Sequence, residues 1–284
     1  MEIIPFLHKA SSTWSYLVAD GATQRAAIID PALDYDAASG RTGTASAQKI
    51  VDAVRAHGWT LEWILETHAH ADHLSAAQFI KQELGGRVAI GEGIRGVQQT
   101  FKALFNLGDD FKTDGSQFDK LFKDGESFRI GDLEARVMAV PGHTRDSIAY
   151  LIGDAVFTGD TLFMPDSGTA RCDFPGGDAG MLYDSIHILL ALPEATRLYM
   201  CHDYGAGGRE HRNATTVKEE RLGNIHVKDG VSRDEYMKLR HERDANLPVP
   251  ALLLPAIQVN IRAGRLPEPE SNGAVYLRIP VNRL

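Results

Sequence analysis

The segment Glu66–Ala77, ETHAHADHLSAA, places three histidines and one aspartate, His68, His70, Asp72 and His73, within six consecutive positions. The apolar run before it, LEWILET (Leu61–Thr67), reads as a buried strand. The run after it, LSAAQFIKQELGG (Leu74–Gly86), has helical spacing and a Gly-Gly stop. The cluster therefore occupies a strand-to-helix loop, where a rigid scaffold commonly presents functional groups.

Working outward, the same grammar recurs. TWSYLVAD (Thr13–Asp20) and RAAIID (Arg25–Asp30) read as a hairpin closed by GATQ and ended at Asp30-Pro31. TASAQKIVDAVRAHG fits an amphipathic helix stopped by Gly58. Downstream, LEARVMAVPG is a strand that delivers His143, SIAYLIGDAVFTGD a strand pair that delivers Asp160, and TRLYMCHDY a strand that delivers His202. GMLYDSIHILLALP reads as a helix, and TTVKEERLGNI starts another with an acidic first turn. This alternation predicts a layered α/β fold. Gly91–Asp124 reads as one helix followed by a loop long enough to be a lid or a disordered segment. Residues 244–284 are rich in proline and apolar side chains and read as an appendage packed on the domain formed by residues 1–243.

Composition narrows the function. A chain of 284 residues, 43% apolar, can bury a sizeable core. With 30 Lys plus Arg against 38 Asp plus Glu, the net charge of -8 disfavours nucleic acid and anionic membranes as partners. The first residues lack a basic segment followed by an apolar one, and no apolar run approaches the roughly 18 residues of a membrane span, so a soluble, cytoplasmic protein is expected. Cys172 and Cys201 are too few for a disulfide framework. A homodimer is the prior expectation, because two-fold dimers are the commonest soluble oligomers.

His68, His70, Asp72, His73, His143, Asp160 and His202 all fall at or beyond strand ends. Imidazoles forced together repel when protonated and are costly to bury unpaired, so their concentration makes sense with a cation. Imidazole and carboxylate suit zinc, iron, copper or nickel. Isolated histidines such as His57, His187 and His226 read as surface or core filler.

THAHADH, with the later PGHTRDSIAY, FTGDTLF and YMCHDY, resembles the metallo-β-lactamase superfamily. The resemblance implies an αββα sandwich, two mixed β-sheets packed face to face and flanked by helices, with the metal site at one edge. Two subfamilies compete. In glyoxalase II-like thioesterases His68, His70 and His143 would hold one metal and Asp72, His73 and His202 the other, two Zn(2+) or mixed Zn/Fe, with Asp160 bridging. In persulfide dioxygenases one Fe(2+) would be held by His68, His143 and Asp160, a two-histidine, one-carboxylate triad with open positions. His70, Asp72, His73 and His202 would then orient ligands and water.

The flanks favour the dioxygenases. GTARCDF (Gly168–Phe174) resembles their Arg-x-Asp-Phe segment and departs from the Lys-Phe-Phe-Glu type of glyoxalase II. HDY (His202–Tyr204) also matches, with Tyr204 near the iron. The Gly91–Asp124 insert and the tail resemble a bacterial, β-lactamase hydrolase-like branch. The implied reaction takes glutathione persulfide and O2 to sulfite and glutathione, with Tyr204 and Arg171 as further catalytic candidates. Glutathione is anionic, so a basic rim is expected from Arg145, Arg209, Arg212 and Lys218, and Cys172, close to Arg171, is a candidate substrate contact.

Overall fold

The computed structural model describes residues 1–283. The first half contains β1 (Glu2–His8), β2 (Thr13–Asp20), β3 (Arg25–Ile29), β4 (Ala32–Asp36), β5 (Arg41–Gly43), α1 (Ala45–His57), β6 (Thr60–Leu65), β7 (Leu74–Ser75), α2 (Ala77–Leu84), β8 (Arg87–Gly91), α3 (Ile94–Leu104) and β9 (Lys120–Phe122). The second contains β10 (Ser127–Ile130), β11 (Leu133–Ala139), β12 (Ile148–Ile152), β13 (Ala155–Phe157), α4 (Ala179–Leu190), β14 (Arg197–Tyr199), β15 (Ala214–Thr216), α5 (Val217–Gly223), α6 (Arg233–Asp244) and α7 (Leu253–Asn260).

Two mixed six-stranded sheets result, ordered β1-β2-β3-β6-β8-β9 and β10-β11-β12-β13-β14-β15. Side chains alternate across each strand with period two, and both faces are apolar. Tyr16 and Val18 of β2, with Ala27 and Ile29 of β3, meet Val137, Tyr150, Ile152 and Phe157 of the second sheet in the central core. The opposite parity, Leu17, Ala26, Ile28 and Ile64, faces Ile50 and Val54 of α1, Ile80 of α2, Ile94 and Phe101 of α3, and Ile257 of α7. Ala149, Val156 and Leu198 on the outer face of the second sheet pack against Leu182, Ile186 and Leu189 of α4 and Tyr236 of α6. This is the αββα sandwich implied by the resemblance.

The segment after Gly91 departs from a plain helix and loop. Beyond α3 the chain buries Phe105, Phe111 and Phe118 in the helix-side core and adds β9 to the sheet edge, parallel to β8. Three buried phenylalanines anchor this segment, so it is a packed wall and neither a lid nor a disordered loop. The histidine loop is likewise fixed at both ends: β6 leads into it, and β7 pairs with β4 through Ala32↔Ser75 and Leu33↔Leu74.

Candidate metal centre

All seven candidate ligands meet at one edge of the sandwich. The β6–β7 loop carries His68, His70, Asp72 and His73, and His143, Asp160 and His202 lie just beyond β11, β13 and β14. Ligand atoms of His68, His143 and Asp160 lie within 4.8 Å of one another, as do those of His70, Asp72 and His73, and those of His70, Asp160, Cys201 and His202. Asp160 is the hub. Its Oδ2 lies 3.8 Å from His68 Nε2 and 3.6 Å from His143 Nε2, and its Oδ1 lies 3.3 Å from His202 Nε2. Asp72 Oδ2 approaches His202 Nε2 at 3.2 Å.

The far nitrogen of each imidazole faces a fixed partner. His143 Nδ1 donates to the Arg171 carbonyl at 2.7 Å, and His73 Nδ1 to the Leu74 carbonyl at 3.1 Å. His202 Nδ1 faces the Ser12 carbonyl at 3.3 Å. His68 Nδ1 meets Thr67 Oγ1 at 3.0 Å, and that hydroxyl donates to Asp30 Oδ2 at 2.9 Å. His70 Nε2 lies 3.0 Å from Asp30 Oδ1, which also accepts from the Thr67 N–H at 2.7 Å. Such outer partners fix tautomer and ring orientation, turning the remaining nitrogen lone pair toward a metal. Asp30 thus organises two histidines, from a left-handed backbone with φ 47° that aspartate tolerates better than most residues.

The atoms so directed have no partner outside the cluster itself. His68 Nε2, His70 Nδ1, His73 Nε2, His202 Nε2, Asp72 Oδ2 and Asp160 Oδ1 are buried without a hydrogen bond. Buried polar atoms are rarely orphaned, so six gathered at one edge of the sandwich, in overlapping groups of ligand atoms within 4.8 Å of one another, fit metal binding in chemistry and placement. Without a cation, protonation settles only part of the cluster: it suits His70 and His202 but not His68 and His73. Burial opposes charge on His70 and His202, yet Asp30 lifts the first to about 9 and Asp160 lifts the second to about 10. Burial and the His70 charge together depress His73 to about 4 and hold His68 well below the usual histidine range. Glu66, behind His70, rises to about 8 through burial and the Asp30 charge, and accepts from Ser75 Oγ.

A cavity of about 340 Å³ opens on this centre, lined on the metal side by Asp72, His143 and Asp160. Phe163, Phe174, Leu247 and Pro250 supply apolar wall, and Arg171, Arg240 and Arg243 supply cations. Tyr204 lines it too, its ring stacked on His202 at 5.9 Å and 10°. Arg171 forks onto Asp173 at 2.6 and 2.7 Å and donates to the Pro248 carbonyl at 2.7 Å, pinning the Pro-rich segment as a wall.

The basic rim is a correction. Arg145, Arg212 and Lys218 do not line the cavity. Arg209, in the loop after His202, is likewise off the cavity lining and forks onto both Asp166 and Asp203. Cys172 is not on the wall either. Its thiol lies 3.4 Å from Asp244 Oδ2, and burial, then that carboxylate, push it up to about 12. Besides Arg171, the cations present are Arg240 and Arg243, which were not legible as site residues in the sequence; their spacing of three on one helix was the available signal. Arg240 is spent on Asp244 and the Thr169 carbonyl.

Residues 8–202 match the metallo-beta-lactamase superfamily, and the chain belongs to it. Within it, the chain is 53% identical to a beta-lactamase hydrolase-like protein of Agrobacterium fabrum, over 96% of this chain and 63% of that relative's length. It is 50% identical to glyoxylase B2 of Dictyostelium discoideum (100% of this chain, 97% of that one) and 30% identical to the mitochondrial persulfide dioxygenase ETHE1 of Bos taurus (89% and 85%). The solved structure of ETHE1 from Myxococcus xanthus superposes with a TM-score of 0.74 at 32% identity, covering 93% of this chain and 100% of that one. No helix among the described residues is long and apolar enough to cross a membrane.

Proposed function

We propose that this chain is an iron-dependent persulfide dioxygenase that converts glutathione persulfide, O2 and water into sulfite and glutathione. The observation that carries the reading is the contact between His143 Nδ1 and the Arg171 carbonyl, which joins the ligand set to the very segment that resembles the dioxygenases. The similarity to ETHE1 proteins along most of the chain supports it. Bound at His68, His143 and Asp160, Fe(2+) would supply redox chemistry and open positions for sulfur and oxygen.

The protein's own groups do the rest. The Arg243 side chain makes no hydrogen bond or ion pair among the described residues and offers the cavity a free cation for a glutathione carboxylate. Phe163, Phe174, Leu247 and Pro250 exclude water from the persulfide, while Tyr204 supplies a hydroxyl at the mouth. Arg171 holds the cavity wall, and Asp30 orients His70 and, through Thr67, His68.

A second reading is a dinuclear thioesterase acting on a glutathione thioester. It is favoured by the unpartnered atoms of His70, Asp72, His73 and His202, which extend beyond one triad, and by the similarity to glyoxylase B2. Anaerobic metal analysis followed by oxygen uptake with glutathione persulfide separates the two. About one iron per chain, with uptake abolished in Asp160→Ala, supports the dioxygenase. Two metals with oxygen-independent thioester hydrolysis overturn it.

A further inference from the structure

The C-terminal stretch reaches the metal centre from behind through one side chain. Asn260, the last residue of α7, is buried at 4% exposure. Its Nδ2 donates to the His70 and His73 carbonyls, each at 2.8 Å, and its Oδ1 accepts from the Ser75 N–H at 2.8 Å. Both amide protons and the carbonyl are thereby used. These three groups span the loop that bears His70, Asp72 and His73, whose buried backbone lies outside regular structure and needs partners.

The helix end that carries Asn260 is itself fixed. Gln98 Nε2 donates to the Ile261 carbonyl at 2.9 Å and Gln78 Nε2 to the Ala263 carbonyl at 2.8 Å. Leu74 of β7 packs with Ala256 and Val259 of α7. Gly264 turns away at φ +82°, and a Cβ there would lie only 3.1 Å from the Ser75 carbonyl. The close seating of α7 on the loop thus comes from several independent contacts.

We infer that Asn260 is a positioning residue of the metal centre: its carboxamide fixes the loop backbone and, through it, the placement of His70, Asp72 and His73 around the cation. The inference goes beyond the proposed reaction, since it holds for oxygenation and hydrolysis alike. It also makes the tail part of the site at more than 180 residues' separation.

The test is Co(2+) titration of the metal-free full-length chain, read by chelator competition and by the d–d absorption bands. Asn260→Asp keeps size and the acceptor for Ser75 but sets a carboxylate against two carbonyls. It is expected to raise the Co(2+) dissociation constant by about tenfold or more and to alter the bands, the usual scale for groups behind metal ligands. Gln258→Ala loosens α7 from the Arg278 segment without touching the loop or the Asn260 end, and is expected to bind Co(2+) as wild type does. Wild-type affinity and bands in a folded Asn260→Asp chain overturn the inference, as does equal weakening in Gln258→Ala. Should Asn260→Asp fail to fold, NMR of the wild-type chain decides. The Asn260 side-chain amide protons are expected to resist exchange and to shift when Co(2+) is added, and unmoved signals overturn the inference.

Discussion

His143 and Arg171 are joined by a 2.7 Å hydrogen bond from the imidazole Nδ1 to the backbone carbonyl, while the Arg171 guanidinium reaches the opposite way to Asp173 and Pro248. One residue therefore steadies a candidate ligand with its main chain and the cavity wall with its side chain. The two roles separate on mutation. Arg171→Ala keeps the carbonyl, so metal content is expected to stay at the wild-type level. The freed Pro248 wall is expected to raise KM for the persulfide by roughly three- to tenfold, with a smaller effect on kcat. Metal analysis beside steady-state kinetics checks this, and loss of metal in the variant would count against it.

Arg243 differs from its neighbours on the wall in having no internal partner, whereas Arg171 and Arg240 face Asp173 and Asp244. A substrate carboxylate accordingly has Arg243 to meet. Arg243→Ala is expected to raise KM about tenfold with kcat nearly unchanged, the worth of one charge-assisted hydrogen bond near solvent. Arg145→Ala and Lys218→Ala, both off the wall, serve as controls expected to leave KM unaltered. Equal effects from all three would point to diffuse electrostatic attraction in place of a specific contact.

Cys172 follows the ligand-holding Arg171, yet the structure gives it no chemistry. Its thiol is buried against Asp244 and pushed up to about 12, so almost no thiolate exists at neutral pH. The native chain should resist alkylation at Cys172 at pH 8, and Cys172→Ser should retain wild-type turnover. Rapid native-state labelling of Cys172, located by peptide mass mapping, would refute this.

The parts legible in sequence are those carried by local pattern. Apolar strands ending in polar residues announced the sheets, and the ends of four of them deliver the seven candidate ligands to one edge. The acidic first turn of TTVKEERLGNI marked the start of α5, where the structure also forms both arms of a Thr216–Glu219 capping box. What stayed hidden depends on tertiary packing. Asp30 reads as a strand terminator, and its grip on Thr67 and His70 exists only because β3 lies beside β6. Asn260 sits in a Pro-rich stretch whose composition says nothing about a loop 190 residues earlier. Arg243 looks like any helical surface charge until α6 is placed against the cavity. Most of the basic residues expected at the rim follow His202 along the chain, but Arg209 is taken up by Asp166 and Asp203, and Arg212 and Lys218 do not reach the cavity.

Glu220 allows a test of the fold that is independent of the metal. It is fully buried on α5, with Oε2 accepting from Asn224 Nδ2 at 2.6 Å and Oε1 unpartnered. Burial pushes its carboxyl from 4.5 up to about 8, so the folded chain keeps the proton over a range in which the unfolded chain releases it. Between these values the native state binds more protons, and stability from this group must fall as pH rises. Its contribution is complete below about 4.5 and lost through about 8. Glu220→Gln keeps the acceptor for Asn224 and removes the titration. Its melting temperature relative to wild type should therefore climb from pH 5 to pH 8, corresponding to a gain of roughly 1–3 kcal/mol. A difference that stays flat with pH would mean that Glu220 is ionised in the folded chain.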